Sequence, residues 1–301
     1  MLYLYEMKKQ ASLICIVGQT ATGKSSLALR IAQAWNGEII CADSWTTRRG
    51  VDIGTAKPSA EERKLVPHHL VDVINPDEDF NAALFKDLAN KAITDISSRG
   101  RVPIMVGGTG LYIDSVIYDY SFATVGSRRN REQLNGLGLP ELIQKINDIG
   151  IELGDVDVRN KRRLIRLIET NGARPTKHQL RKHTLLLGLH AEKDKLNQLI
   201  SDRLDEMLAS GLEEEVRQLS TRYGWDCEAL KGISYAQWRE YFLGSENRDQ
   251  VRQKIIHATI GLAKRQNTWF QRNKSIHWLY APVKWPEVVD LVTTFLDTNI
   301  S

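Results

Sequence analysis

Gly18-Gln19-Thr20-Ala21-Thr22-Gly23-Lys24-Ser25 satisfies the spacing G-x-x-x-x-G-K-[ST] at every fixed position, and the chemistry of that pattern is phosphate capture. Its glycines let backbone N–H groups close around phosphate oxygens. The helix start that follows adds positive potential, Lys24 brings a charge, and the Ser25 hydroxyl is a ligand for Mg²⁺. The loop alone does not choose between a nucleotide and another polyphosphate. Asp43, at the end of "EIICAD", is either a cap or turn residue or a carboxylate that ligates metal or accepts a proton. Thr109 follows Gly107-Gly108, a glycine pair that allows backbone to approach a ligand closely, and is either an N-cap or part of the same site. Trp45 is a stacking platform for a base or a packing anchor. Adjacent His68 and His69 would point different ways on a strand, which makes a poor metal site and favours a structural or substrate-contact role.

These residues need elements to hold them. Leu13–Val17 is a short unbroken apolar run, read as a strand buried on both faces. Ser26–Trp35 then has helical spacing, so the glycines lie between a strand and a helix N-terminus. Further strands are expected at 38–42, 70–74, 101–106 and 184–189. Asp43 and Thr109 then emerge beyond the carboxyl ends of parallel strands, where open sheets bind ligands. The segment Trp45–Pro58 reads as an ordered loop. Phe80–Arg99 reads as a helix with Ala83, Leu84, Leu88, Ala92 and Ile96 on one face, closed by Gly100.

From Tyr118 to Gly138 the chain turns polar, with Arg128, Arg129 and Arg131, before helical periodicity resumes. A helix expected over Asp155–Thr170 sets Val158, Leu164, Ile165, Leu167 and Ile168 against Arg159, Lys161, Arg162, Arg163 and Arg166. One face of a single charge sign fits a phosphate-backbone partner. The remainder after 189 reads as helical, and 254–272 mixes Lys254, His257, Lys264, Arg265 and Arg272 with Trp269 and Phe270, a composition that suits nucleic acid or a core. The expected fold is α/β: a P-loop three-layer α/β/α core with a parallel sheet over 1–118 and 184–301, a helical insertion over 119–183, and a helical C-terminal region.

Composition permits this and excludes other classes. The chain has 301 residues, a formal charge of +4 and three cysteines, Cys15, Cys41 and Cys227, without metal-ligand spacing. No zinc or redox chemistry follows. The opening Met1–Tyr5 run is too short for a membrane span and is soon followed by Glu6, Lys8 and Lys9. A cytoplasmic protein without membrane attachment is expected.

The phosphate loop, "ADS" at 42–44, "RGVDIGTAKP" at 49–58, "PHHLVDV" from Pro67, "VGGTGLY" from Val106, "NKRRLIRLIE" from Asn160 and "KRQNTWF" from Lys264 together resemble the tRNA dimethylallyltransferase (tRNA isopentenyltransferase) family, in the family's order and over most of the chain. The resemblance implies transfer of a dimethylallyl group from dimethylallyl diphosphate to N6 of the adenosine 3′-adjacent to the anticodon. It implies that Gly18, Gln19, Thr20, Ala21, Thr22, Gly23, Lys24 and Ser25 hold the donor diphosphate, with Mg²⁺ at Ser25. Asp43 is then the base, and Thr109 and Arg131 stand near the reacting groups. The tRNA would meet Asp43, Ser44, Trp45, Thr46, Thr109 and Arg131 around the adenosine, and Arg162, Arg163, Arg166, Lys264, Arg265, Gln266 and Arg272 elsewhere, with the protein acting as a monomer.

Two positions depart from that pattern. Trp45-Thr46-Thr47-Arg48 stands where the family usually has Gln or an apolar residue and then Tyr, and Ser234 replaces a glycine. The alternatives are prenylation of free adenine nucleotide, a P-loop small-molecule kinase, and a tRNA-binding relative without catalysis.

Overall fold

The structure, a computed structural model, describes residues 11–123 and 128–298. The run Met1–Tyr5 and the side chains of Arg128 and Arg129 lie outside the described residues. Two compact units are present: Met1–Ile117 with Leu180–Ser301, and Tyr118–Gln179. In chain order the first contains β1 (Leu13–Gly18), α1 (Lys24–Ala34), β2 (Gly37–Cys41), α2 (Ala60–Leu65), β3 (His68–His69), α3 (Ala82–Ser98), β4 (Val102–Val106) and α4 (Gly110–Ile117). The second contains α5 (Arg128–Gly136), α6 (Leu139–Asp148) and α7 (Lys161–Glu169). The first unit resumes with β5 (Thr184–His190), α8 (Lys193–Ala209), α9 (Leu212–Tyr223), α10 (Arg239–Phe242), α11 (Arg248–Phe270), β6 (Ile276–Tyr280) and α12 (Trp285–Asp297).

The apolar runs form a six-stranded sheet in the order β3-β2-β4-β1-β5-β6, every pair parallel. All of β1 is buried, as a central strand covered on both faces must be. On one face Ile14, Ile16, Ile39, Ile104, Leu187 and Leu279 pack with Ile31 of α1 and Val292 of α12. Elsewhere α3 lies against β4 and β2, and α11 against β1. A second apolar cluster joins Val51 to Leu204, Leu212, Val216, Tyr235, Trp238 and Ile255, so α8, α9 and α11 share a core with the loop after β2.

The structure differs from the sequence reading at several elements. The strand expected at 70–74 is the two-residue β3 at His68–His69. Leu70 and Asp72 have φ of 62° and 57°, a backbone that ends a strand, and Asp72 there accepts from Lys57 and Arg63. The region read as wholly helical after β5 contains β6. In β6 only Ile276 and Leu279 are buried, three apart as on a helix, because this edge strand is half solvated. Helix α3 buries Ala82, Phe85, Ala89, Ile93 and Ile96, a stripe one position round from the expected one, and leaves Leu84 38% exposed. Two apolar stripes obey the same spacing, and the bulk of Phe85, stacked on Tyr112 at 4.5 Å, decides between them. Helix α7 starts at Lys161, capped by Asn160, whose side chain accepts from the Arg163 N–H, so Val158 and Arg159 lie outside it.

The Tyr118–Gln179 unit has its own core of Leu134, Leu142, Ile146, Leu164, Ile165 and Leu167. Arg131 of α5 pairs there with the buried Glu169 of α7 at 3.1 Å.

One buried carboxylate anchors the sheet edge. Glu38 of β2 accepts from Arg99, from Arg101 at 3.0 Å and from His69 at 2.7 Å. The Arg99 hydrogen bond in particular, helped by His69, holds its carboxyl down at about 2, against an ordinary 4.5. Its stabilisation is therefore present above pH 4.5 and lost as pH falls towards 2. We predict that Glu38→Gln lowers stability by about 2 kcal/mol at pH 7. Denaturant unfolding should show the gap to wild type closing between pH 4.5 and 2.

Candidate active site

The loop between β1 and α1 is shaped by three residues with positive φ: Gly18 at 128°, Ala21 at 65° and Gly23 at 86°. A Cβ on Gly18 would collide with the Leu189 carbonyl of β5, so only glycine lets the loop leave the sheet at that point. Within the loop the Gln19 carbonyl accepts from Lys24 Nζ at 2.5 Å and from Thr22 Oγ1 at 2.8 Å. Helix α1 begins at Lys24 with no acidic residue in its first turn and no side-chain cap, which leaves its N-terminal N–H groups for an anion. Ser25 sits in that first turn and is exposed.

Beside the loop, β2 and β4 end together. The Ala42 N–H donates to Val106 O at 2.7 Å and the Thr109 N–H to Ala42 O at 3.3 Å. The Thr109 Oγ1 accepts from the Ser44 N–H at 3.2 Å, so this threonine fastens the chain just past Asp43. Asp43 closes an Asx-turn, its Oδ1 accepting from the Trp45 N–H at 2.8 Å, and it also lines a cavity. The two readings of this residue are therefore compatible: the turn holds the carboxylate in place.

That cavity, about 380 Å³, brings Thr20 of the loop together with Asp43, Ser44, Trp45 and Thr109. Its opposite wall is apolar, from Ile200, Leu204 and Met207 of α8 and Ile255 and Leu262 of α11. Trp45 contributes its ring with Gly232 against it. Thr46, buried, turns back to its own loop, its Oγ1 donating to Asp43 O at 3.4 Å.

Sequence reasoning did not find Arg203. It lies on α8, in a stretch whose visible signal was only apolar periodicity, and its guanidinium donates to Thr20 Oγ1 and Thr55 O, each at 3.3 Å. Burial lowers its pKa, while the Asp43 charge works the other way. Lys24 feels the same surroundings. Burial, then Arg203, push its pKa down to about 7, and Asp43 partly offsets them. Two half-buried cations, Lys24 and Arg203, thus lie near Asp43, with Glu206 also acting on Arg203.

The motif at 49–58 braces this wall from behind. Lys57 Nζ donates to Asp52 at 2.5 Å, Asp72 at 2.7 Å and Arg48 O at 2.6 Å. Glu215 of α9 accepts from the N–H groups of Asp52, Ile53 and Gly54 and from the Tyr235 hydroxyl. Only Gly54 and Thr55 of the motif line the cavity.

The basic positions divide. Arg265 is exposed and lines the cavity, and Lys264 and Arg272 are exposed. Gln266 is buried, with both ends of its amide bonded inside the protein. Trp269 donates from Nε1 to Asp114 at 3.0 Å, and Phe270 is core. In the other unit Arg162 and Arg163 are exposed on α7, while Lys161 donates to Asn135 O and Arg166 to Ala123 O. Arg131 belongs to that unit too, paired with Glu169, and is not among the residues that line the cavity. Among the described residues no group of three His, Cys, Asp or Glu forms a metal cluster, and no helix is long and apolar enough to cross a membrane.

A parallel sheet with helices on both faces, a loop of P-loop sequence pattern between β1 and α1, and a carboxylate just beyond β2 define an α/β protein of three layers. The model of the IPP transferase family matches residues 48–273. A tRNA dimethylallyltransferase of Desulforudis audaxviator is 39% identical over 89% of this chain and 91% of its own length. Another from Geobacillus thermodenitrificans is 40% identical over 88% and 89%. The crystal structure of a tRNA isopentenylpyrophosphate transferase from Bacillus halodurans, 33% identical, superposes with a TM-score of 0.74 over 96% of this chain and 97% of that one. The chain belongs to the IPP transferase family.

Because Lys24 is a cation held where charge is disfavoured, Lys24→Met should separate binding from folding. Calorimetry should show inorganic pyrophosphate bound about tenfold or more weakly, while the melting temperature stays level or rises. A lowered melting temperature with intact pyrophosphate binding would contradict this account of Lys24.

Proposed function

We propose that this protein transfers a dimethylallyl group from dimethylallyl diphosphate to N6 of the adenosine 3′-adjacent to the anticodon of tRNA, acting as a monomer in the cytoplasm. The observation that carries the reading is a cavity lined by Thr20 and Ala21 of the phosphate loop and by Arg203, with an apolar wall on α8 and α11 and Asp43 in the same lining. A diphosphate ester with a short hydrocarbon has those two requirements.

The chemistry follows from the residues. The N6 lone pair attacks the allylic carbon as the C–O bond to diphosphate breaks, and the bonding pair leaves with the pyrophosphate. Charge growing on that leaving group is met by Lys24, Arg203 and the first N–H groups of α1, all fixed before reaction. An exocyclic amine is a weak nucleophile, and Asp43 accepts its proton as the new C–N bond forms. Thr109 keeps the Asp43-Ser44 backbone in place from β4. Ser44 and Trp45, which line the cavity, contact the adenosine in this reading, with Trp45 offering its indole to the extruded base.

The donor set suits Mg²⁺. Ser25 would hold the ion through one hard oxygen in the first turn of α1. When bound it would supply charge neutralisation on the diphosphate. The tRNA backbone would lie along Arg162, Arg163 and Arg166 and along Lys264, Arg265 and Arg272. Free nucleotide needs no such surface.

We predict that Asp43→Asn lowers the single-turnover transfer rate about a hundredfold with donor affinity nearly unchanged; a rate near wild type would remove Asp43 as the base. Arg163→Ala should weaken tRNA binding and flatten its salt dependence by about one counterion. Filter-binding titrations across a salt series read this directly, and an unchanged slope would remove the phosphate contact.

A further inference from the structure

Gln266 lies on α11 between exposed Lys264 and Arg265 and the half-buried Trp269, in a run whose composition suits nucleic acid. Its side chain does something else. Oε1 accepts from the Thr20 N–H of the phosphate loop at 2.7 Å, and Nε2 donates to the Gly108 carbonyl of the β4–α4 turn at 3.1 Å. The residue is 8% exposed. One amide therefore ties together two loops more than eighty residues apart in sequence, one that grips anion and one that carries Thr109.

The surrounding chain is cut to fit that amide. A Cβ on Gly108 would occupy the position of Nε2 of Gln266, and a Cβ on Gly110 would run into the Trp269 ring one helical turn further on. Both glycines thus leave space for side chains of α11, spaced i and i+3 on one face of the helix. A phosphate loop with several unpaired N–H groups has no intrinsic reason to keep one shape before its ligand arrives. The Gln266 bond removes one of those N–H groups from anion binding and fixes the loop through it.

We propose that Gln266 is a positioning residue: it locks the phosphate loop in its anion-ready form and sets that loop's register against the turn that carries Thr109. It acts on the diphosphate through Thr20 and does not touch RNA. Preorganisation of this kind lowers the cost of binding and of reaching the transition state, so its loss appears in donor affinity.

The test uses the full chain and three variants. Gln266→Met keeps the packing volume and removes both polar ends. Gly108→Ala expels the amide from the other side, and the third variant combines the two. Calorimetry with inorganic pyrophosphate and Mg²⁺ should give about tenfold weaker binding for each single variant, and the double variant should be no weaker than the singles, since both break one contact. The tRNA dissociation constant, measured without donor, should stay within about twofold of wild type. In steady state the KM for dimethylallyl diphosphate should rise while the KM for tRNA holds. Unchanged pyrophosphate binding in a folded Gln266→Met protein, additive losses in the double variant, or a fall in tRNA affinity with donor binding intact would each overturn the proposal. Only the KM comparison rests on the prenyl-transfer reading. A wild type that binds pyrophosphate but transfers nothing to tRNA would sink that reading and leave the pyrophosphate arm decisive.

Discussion

The site exists because backbone meets backbone at one edge of the sheet without side chains between. Gly18 passes the Leu189 carbonyl and Gly107 passes the Ala42 carbonyl at distances that no Cβ tolerates. The ladder runs on past the strands through Gln19 N–H to Leu189 O, Gly107 N–H to Ile16 O and Ala42 N–H to Val106 O. Three parallel strands thereby deliver the residues that follow them to one place: the phosphate loop from β1, Asp43 from β2 and Thr109 from β4. With side chains at these glycines the loops would splay, and the carboxylate would part from the anion loop.

Electrostatics then gives the edge its purpose. Lys24 and Arg203 are held in a buried setting that disfavours their charge, with Asp43 the nearby carboxylate acting on both. In the proposed reading, a bound anion offsets what burial imposes on these two cations. The frame around it has the opposite character, because its charges are matched internally. Lys57 is satisfied by Asp52, Asp72 and a carbonyl, and Glu215 by three N–H groups and a tyrosine hydroxyl. Charges that are fully partnered hold shape, and charges left under-neutralised bind ligand.

The core of this arrangement was legible in the sequence because it rests on local chemistry. Glycine spacing, buried apolar runs and a carboxylate at a strand end are each readable within a few residues, and β1, β2, β4 and β5 fall where those runs lie. What was hidden depends on partners distant in the chain. β3 is two residues long because Asp72 turns back to Lys57 and Arg63, and β6 hides in a spacing that fits a helix equally well. Arg203 looks like any arginine on an amphipathic helix until α8 is placed opposite Thr20. Gln266 shows the limit most clearly: its neighbours advertise a basic surface, while its own amide faces inward to Thr20 and Gly108, both more than 150 residues earlier. Family resemblance proposed Gln266 as a tRNA contact and did not reach Arg203, and it could not say which way either side chain turns.

The most direct test of the central claim is one labelling experiment with the purified chain, Mg²⁺ and dimethylallyl diphosphate carrying label in its hydrocarbon, offered unmodified tRNA, AMP and ATP in separate reactions. The account predicts label on N6 of an adenosine in tRNA, with one pyrophosphate released for each group transferred and none transferred to AMP. Label appearing in AMP, or phosphate released from ATP while tRNA stays unlabelled, would contradict it.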